Sequence, residues 1–232
     1  CASEDEPVFE QVMSASIVDD LRTKRDPTYM DVGANVGLIL ANVLSALPAT
    51  KVFAFEPGPT QAQLLQRTLR ANNLEGQVHL EQVALSNVEG DTTFYTHVDA
   101  DVAKDGLQDT GRGEPTIPIT VRTTTLDAWW QAQGKPGIDV IKIDTEGAEL
   151  LILQGGTECI RACKPVMYLE IEPMNLHAYP YSAEDIVRFL YSIGYELWTL
   201  SGARATVESI GAQLALDDTF RAVPADAGAR TT

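Results

Sequence analysis

The sequence predicts an α/β fold: one mainly parallel sheet with helices on both of its faces. The main observation is that β-prone runs alternate with runs of helical apolar spacing, as in successive βαβ units. The second is a glycine-rich turn directly after the first strong strand. Such sheets bind ligands at the carboxyl ends of their strands, so the functional site is expected at that edge.

The predicted elements follow from local signals along the chain. Leu64, Leu65 and Leu69 lie at helical spacing, Thr125 and Ser182 are residue types that begin helices, and Gly194 is a stop signal. Helices are predicted at residues 9–21, 37–47, 59–73, 125–133, 149–153 and 183–193. Strands are predicted at residues 28–32, 51–56, 78–84, 138–143, 165–171, 195–200 and 219–223, with short β runs at 91–96 and 116–122.

One globular domain is predicted for residues 28–224, because 232 residues with 44% apolar content can bury a single core. A helical extension at 1–27 precedes it and ends at the Asp26-Pro27 break. A flexible tail is expected at 225–232. The loop at 99–113, rich in glycine and aspartate, is expected to be a lid or a disordered excursion.

Composition bounds the partners of the chain. The 17 Lys and Arg residues against 33 Asp and Glu give a net charge of −16, which argues against binding nucleic acid. The sequence contains no run of about 18 apolar residues, so no membrane span is predicted. The three cysteines cannot all be paired with one another and are interpreted as reduced thiols. Reduced thiols indicate a cytoplasmic compartment. The sequence makes no prediction of the oligomeric state.

The motif Asp31-Val-Gly-Ala-Asn-Val-Gly37 has glycines where a side chain would block a tight turn and a close ligand. The helix that follows points backbone N–H groups at that ligand, which suits a carboxylate or a phosphate. Glu56 ends the second strand, nineteen residues after Gly37, where a carboxylate can accept hydrogen bonds from both hydroxyls of a ribose. Pro57 helps to fix the chain there and is itself expected to contact the cofactor.

Two apolar residues at the end of the third strand, Val83 and Ala84, are expected to cover an adenine ring or to complete the core. The fourth strand runs into Asp144-Thr-Glu-Gly-Ala-Glu149, which places three carboxylates within six residues. Asp144 is a candidate general base, although helix capping could explain all three acids, and Glu149 in particular is expected to cap.

Further candidates lie near the same strand ends. Asp144, Glu146 and Glu170 could bind Mg²⁺, but their spacing does not require it and no metal is predicted. His177 is the candidate for proton transfer on the acceptor side, where a loop histidine can also simply be exposed. His79 and His97 fall within strands and are expected to carry no chemistry.

Five blocks in order resemble the FkbM-type S-adenosylmethionine-dependent methyltransferases. They are the glycine turn, Phe55-Glu-Pro57, Val83-Ala-Leu-Ser86, Thr124-Thr-Leu-Asp127 and Ile141-Lys-Ile-Asp-Thr-Glu-Gly-Ala-Glu149. The resemblance implies a Rossmann-like, class I methyltransferase fold with a seven-stranded sheet whose last strand, 219–223, is antiparallel. It also implies that Asp31, Gly33, Asn35 and Gly37 contact the methionine part of the cofactor and that Glu56 contacts its ribose.

The predicted function is therefore methyl transfer from S-adenosylmethionine to a hydroxyl of a small molecule, a sugar or a lipid-like acceptor. Asp144 would activate that hydroxyl or stabilise the sulfonium region. An NAD-dependent oxidoreductase shares the sheet, the glycine turn and the ribose acid, but no Tyr-Lys pair is visible. A non-catalytic adenosine-binding module remains a further alternative.

Overall fold

The computed structural model describes residues 6–97, 105–111 and 115–225. The helices are α1 (Glu6–Arg22), α2 (Leu38–Ala46), α3 (Pro59–Ala71), α4 (Leu126–Ala132), α5 (Glu149–Gly155), α6 (Thr157–Cys163), α7 (Pro173–Leu176), α8 (Ala183–Ser192) and α9 (Ile210–Gln213). The strands are β1 (Thr28–Val32), β2 (Lys51–Phe55), β3 (Val78–Glu81), β4 (Ala84–Leu85), β5 (Gly90–His97), β6 (Thr116–Thr124), β7 (Val140–Ile143), β8 (Val166–Glu170), β9 (Tyr195–Thr199), β10 (Arg204–Ala205) and β11 (Thr219–Pro224).

The main sheet has the order β10-β9-β11-β8-β7-β1-β2-β3. Strands β3, β2, β1, β7 and β8 pair in parallel. Strand β11 lies between β8 and β9 and is antiparallel to both. The predicted α/β class and the antiparallel last strand are therefore confirmed.

The main sheet has eight strands, so the expected number of seven is wrong by one. The additional strand is β10, which turns back after β9 and pairs with it over two residues, Arg204 and Ala205. A strand this short carries no readable periodicity, because it is fixed by its pairing with β9.

The third predicted strand is also shorter than expected. It ends at Glu81, and Ala84–Leu85 leaves the main sheet as β4 and pairs in parallel with β6. With β5, which runs antiparallel to β6, these strands form a second sheet of three strands. This small sheet supplies one side of the cleft described below.

The helices cover both faces of the main sheet, as predicted. One face packs against α1, α2 and α3, and its core contains Ile17, Leu40 and Leu65. The other face packs mainly against α4, α5, α6 and α8. Helix α1 is the longest in the described residues, with 17 residues, and none of the helices described is both long and apolar enough to cross a bilayer.

Part of the predicted loop at 99–113 is ordered against the rest of the fold. Gly106 exchanges two backbone hydrogen bonds with Tyr95 of β5, at N–O distances of 2.8 and 3.1 Å. Gly106 is thereby attached to β5, at the edge of the small sheet, by an isolated bridge. Residues 98–104 and 112–114, where the rest of that prediction falls, and the tail after 225 lie outside the described residues.

Candidate active site

A cleft opens at the carboxyl ends of β1, β2 and β7, beneath the small sheet. It contains about 620 Å³ of space that is not filled by protein atoms, part of which is open solvent. Its lining residues are Val32, Gly33, Asn35, Phe55, Glu56, Pro57, Gln61, Val83, Ala84, Leu85, Phe94, Asp105, Leu107, Asp144, Thr145, Glu146 and Ala148.

The glycine turn forms the floor of the cleft. The N–H groups of Gly33 and Ala34 both donate to the carbonyl oxygen of Phe55 at 3.0 Å, which ties the turn to β2. A Cβ on Gly33, whose φ is +76°, would lie 1.8 Å from the carbonyl oxygen of Asp144. A Cβ on Gly37 would lie 2.3 Å from a methyl carbon of Leu65. Gly33 is thus required by a backbone contact within the protein, in addition to any need of a ligand, whereas Gly37 is favoured by its φ of +86° and by the nearby side chain of Leu65.

Glu56 connects the glycine turn to the turn that follows β2. Its Oε2 accepts from the N–H of Asn35 at 2.9 Å and its Oε1 from the N–H of Gly58 at 2.8 Å. Burial raises the pKa of Glu56 to about 7, although these two hydrogen bonds oppose the shift. Each carboxylate oxygen keeps a second lone pair, so Glu56 can still accept hydrogen bonds from a ligand in the cleft.

Lys142 joins the two loops that face each other across the floor of the cleft. Its Nζ lies 3.0 Å from Oδ2 of Asp144 and 3.4 Å from Oδ1 of Asp31, and it donates to the carbonyl oxygen of Gly33 at 3.1 Å. Burial alone would lower the pKa of Lys142, but Asp144 and Asp31 outweigh burial and raise it above its usual value. A charged lysine, only 3% exposed, therefore fixes the glycine turn relative to Asp144.

The turn after β7 is held by Glu149, the first residue of α5. Its Oε1 accepts from the N–H of Thr145, the hydroxyl of Thr145 and the N–H of Gly147, at 3.3, 3.0 and 3.1 Å. Burial raises the pKa of this carboxyl to about 7. Glu149 was expected to cap the helix that follows it, and its carboxylate instead closes the turn that precedes that helix.

Asp144 is the acid of this turn that reaches both the cleft and the buried charges behind it. Its side chain is 30% exposed and its N–H donates to the carbonyl oxygen of Val32 at 3.1 Å. Glu170 lies next to it: the charge of Asp144, then burial, then a hydrogen bond to Asp144 raise the pKa of Glu170 well above its usual value. A neutral Glu170 can donate that hydrogen bond, so Asp144 is held from two sides.

The wall opposite the glycine turn is mostly apolar and contains one buried acid. Val83, Ala84, Phe94 and Leu107 supply the apolar part. The acid is Asp105, which is held by His97 and Gln61. Such a wall suits the flat face of an aromatic ring better than a charged group.

Seven of the predicted site residues line this one cleft: Gly33, Asn35, Glu56, Pro57, Val83, Ala84 and Asp144. Gly37 and Asp31 lie just behind it, Gly37 against Leu65 and Asp31 beside Lys142. His177 is exposed at the end of α7 and does not line the cleft. Its role in proton transfer stays a prediction, as do the roles of the other site residues.

Sequence reasoning missed Lys142, Gln61, Asp105, Phe94 and Leu107. A signal existed for Lys142, because a lysine in the middle of the apolar strand 140–143 must find a buried counter-charge, and Asp31 lies in the neighbouring strand. The others come from separate parts of the chain and meet only in the folded protein. Within the described ranges, no three His, Cys, Asp or Glu side chains are grouped as a metal site.

Comparison with known proteins gives a family match. The profile of the methyltransferase FkbM domain matches residues 31–197. The 2-O-methyltransferase NoeI of Sinorhizobium fredii is 28% identical over 169 residues, which cover 68% of this chain and 68% of that protein. The hexuronic acid methyltransferase AglP of Haloferax volcanii is 28% identical over 139 residues, covering 60% of this chain and 54% of that protein.

The fold also matches a solved structure. The crystal structure of methyltransferase FkbM from Methylobacillus flagellatus superposes with a TM-score of 0.53 at 17% identity. The match covers 85% of this chain and 43% of that one, so the chain spans less than half the length of this relative. At such low identity the likeness bears on the fold, which is that of the class I methyltransferases.

Proposed function

Since the chain belongs to the FkbM methyltransferase family, we propose that it transfers the methyl group of S-adenosylmethionine to a hydroxyl oxygen of a neutral, sugar-like acceptor. The observation that carries this proposal is the cleft itself. It brings the glycine turn, Glu56 and Asp144 together on one side of an apolar wall. The antiparallel β11 favours a methyltransferase over a nicotinamide-dependent oxidoreductase.

The residues in the cleft fit the proposed cofactor. Glu56 has lone pairs left for the two ribose hydroxyls, and Val83 and Leu107 offer apolar faces to the adenine. Asn35 Oδ1 is buried and has no hydrogen-bond partner among the residues that the structure describes. A buried acceptor without a donor is costly, and the ammonium group of the methionine part would supply one.

When bound, S-adenosylmethionine supplies a methyl group on a positively charged sulfur. An oxygen lone pair can attack this methyl carbon in line with the carbon–sulfur bond. The chain therefore has two tasks, to align the acceptor hydroxyl and to take up its proton. Asp144 is in place for both, because its carboxylate reaches the cleft while Lys142 and Glu170 hold it from behind. In the proposed step Asp144 would take up the proton of the acceptor hydroxyl as the new C–O bond forms, the methyl–sulfur bond breaks and the sulfur leaves as a neutral thioether.

The charge of the cleft limits the acceptor. Among the described lining residues, four are carboxylic acids, Glu56, Asp105, Asp144 and Glu146, and none is Lys, Arg or His. The names of the two relatives, a 2-O-methyltransferase and a hexuronic acid methyltransferase, support O-methylation of sugar-like acceptors. An anionic sugar would be repelled by this lining, so a neutral one is favoured here.

Calorimetry with S-adenosylmethionine and with NAD, followed by methyl transfer to a neutral glycoside and to its uronate, tests the proposal. We expect binding of the first cofactor alone and methylation of the neutral glycoside. Asp144→Asn should lower kcat by about a hundredfold and change cofactor affinity by less than about threefold. Asp91→Asn is the matched control, since Asp91 is exposed on β5 outside the cleft. A folded protein that does not bind S-adenosylmethionine would refute the function, and an unchanged kcat would refute the role of Asp144.

A further inference from the structure

Asp105 is a buried carboxylate in the cleft to which the steps above give no task. It lies in the segment 105–111 between β5 and β6, away from the strand ends that supply the other lining acids. Its side chain is only 5% exposed. Burying a carboxylate is unfavourable unless donors compensate it, so its position in the cleft calls for an explanation.

Three hydrogen bonds fix Asp105 in one orientation. Its Oδ1 accepts from the N–H of His97 at 2.8 Å and lies 3.1 Å from His97 Nδ1, and its Oδ2 accepts from Nε2 of Gln61. His97, at the end of β5, has a side chain that is itself 4% exposed. The carboxylate is thus attached to both the small sheet and α3, and Oδ2, which accepts only from Gln61, keeps a lone pair for a further donor.

The segment that carries Asp105 crosses the cleft. A Cβ on the next residue, Gly106, would lie 3.1 Å from the Cβ of Glu146, so the segment runs from Gln61 to the turn after β7. Asp105 is also close enough to Glu56 to contribute to the raised pKa of that carboxyl. Asp105 is therefore a second buried acid beside the one proposed to bind the ribose.

Among the lining residues that the structure describes, Asp105 is the carboxylate nearest to the expected adenine end that has no other assignment. Residues 82–86, at the strand end where the ring is expected, are Gln, Val, Ala, Leu and Ser. Of the described lining acids, Asp144 and Glu146 belong to the turn after β7, and Glu56 is assigned to the ribose. The exocyclic amino group of an adenine is a donor that needs an acceptor in a partly dry cleft, and Asp105 is the acid left to supply one.

We propose that Asp105 accepts a hydrogen bond from the exocyclic amino group of the cofactor adenine, and that His97 and Gln61 are positioning residues for it. This inference rests on the proposed function. It makes the described segment 105–111 part of the cofactor site. It also gives the buried His97 a task that its place within a strand did not suggest.

The test compares the affinities of S-adenosylhomocysteine and S-inosylhomocysteine, in which an oxo group replaces the amino group. Wild-type protein should prefer the adenosine compound by about tenfold or more, because the oxo group would face a carboxylate. Asp105→Asn should reduce the preference to about threefold or less, since an amide can donate to the oxo group. Asp91→Asn, the same change on the exposed side of β5, should keep the wild-type preference.

A second pair of variants keeps the inference open to refutation if Asp105→Asn does not fold. His97→Phe removes the side-chain donor and should weaken the preference, whereas His97→Asn, whose amide can donate from a similar position, should restore it. If wild-type protein binds S-adenosylhomocysteine and the variants keep its preference, the role of Asp105 is refuted while the function stands. If folded wild-type protein binds neither compound, the proposed function fails and this inference fails with it.

Discussion

Replacing Lys142 by methionine should cost a large share of the stability of the fold. Methionine keeps the length of the side chain but removes the charge that faces Asp31, which is 1% exposed, and Asp144. Removing one partner of a buried ion pair costs about 3–5 kcal/mol, against a total of about 5–15 kcal/mol for a typical domain. The free energy of unfolding in urea measures this loss directly.

The pH dependence and two matched variants separate this explanation from simple loss of packing. Burial raises the pKa of Asp31, and the charge of Lys142 partly opposes this shift. Removing that charge should therefore raise the pKa of Asp31 further. A carboxyl whose pKa is raised in the folded state stabilises the fold at low pH and loses that contribution as the pH rises. The stability lost in Lys142→Met should therefore be smaller in acid.

Adding Asp31→Asn to Lys142→Met should recover about 2 kcal/mol. Lys135→Met, in an exposed pair with Glu158, should cost less than about 1 kcal/mol. A loss below about 1 kcal/mol for Lys142→Met, at all pH values, would refute the reasoning.

Three further predictions concern the same site. Gly33→Ala should destabilise the fold by about 3 kcal/mol or more in urea denaturation, because the added Cβ would overlap the carbonyl oxygen of Asp144. The control Gly134→Ala, also at positive φ but with nothing within 4 Å of its Cβ, should cost about 1 kcal/mol. Equal losses for the two variants would contradict this reasoning. The free energy of unfolding should fall between about pH 4.5 and 7 as Glu56 and Glu149, both with a pKa raised to about 7, lose their protons. Glu149→Gln, which keeps the Oε1 acceptor, should remove roughly half of this dependence of stability on pH. An unchanged pH dependence in the variant would count against this explanation. Glu56→Ala should weaken S-adenosylmethionine binding in calorimetry by about 1–3 kcal/mol, with exposed Glu75→Ala as the control, and equal affinities would refute the assignment to the ribose.

Local signals predicted the parts of the site that depend on a short stretch of sequence. The glycine turn, Glu56 and Asp144 each directly follow a strand, and parallel pairing brings their strand ends together. These residues could be recognised from the adjacent sequence, without knowledge of contacts between distant parts of the chain. For the same reason the α/β class could be predicted before the register was known, whereas the antiparallel β11 was expected only from the family resemblance.

The parts that were missed depend on contacts between distant segments. Asp105 reaches the cleft because Gly106 pairs with Tyr95 and because Gln61, 44 residues away, binds its carboxylate. Strand β10 exists only by pairing with β9. The glycines were recognised for a ligand they would admit, while in the fold their first constraint is the backbone of Asp144 and the side chain of Leu65. Sequence periodicity contains none of these neighbours.

The stretch of this chain that can be recognised by homology is shorter than the stretch that folds as a unit. The family match begins at residue 31, yet α1 contributes Ile17 and Leu21 to the core. Asp20 of the same helix accepts two hydrogen bonds from Arg221, 201 positions away, and one from the hydroxyl of Tyr168. Arg221 and Tyr168 are paired across β11 and β8, and Tyr168 is in register with Lys142. An expression boundary placed at the start of the homologous region would therefore uncover the sheet behind the active site, and activity assays on this protein should keep the helix.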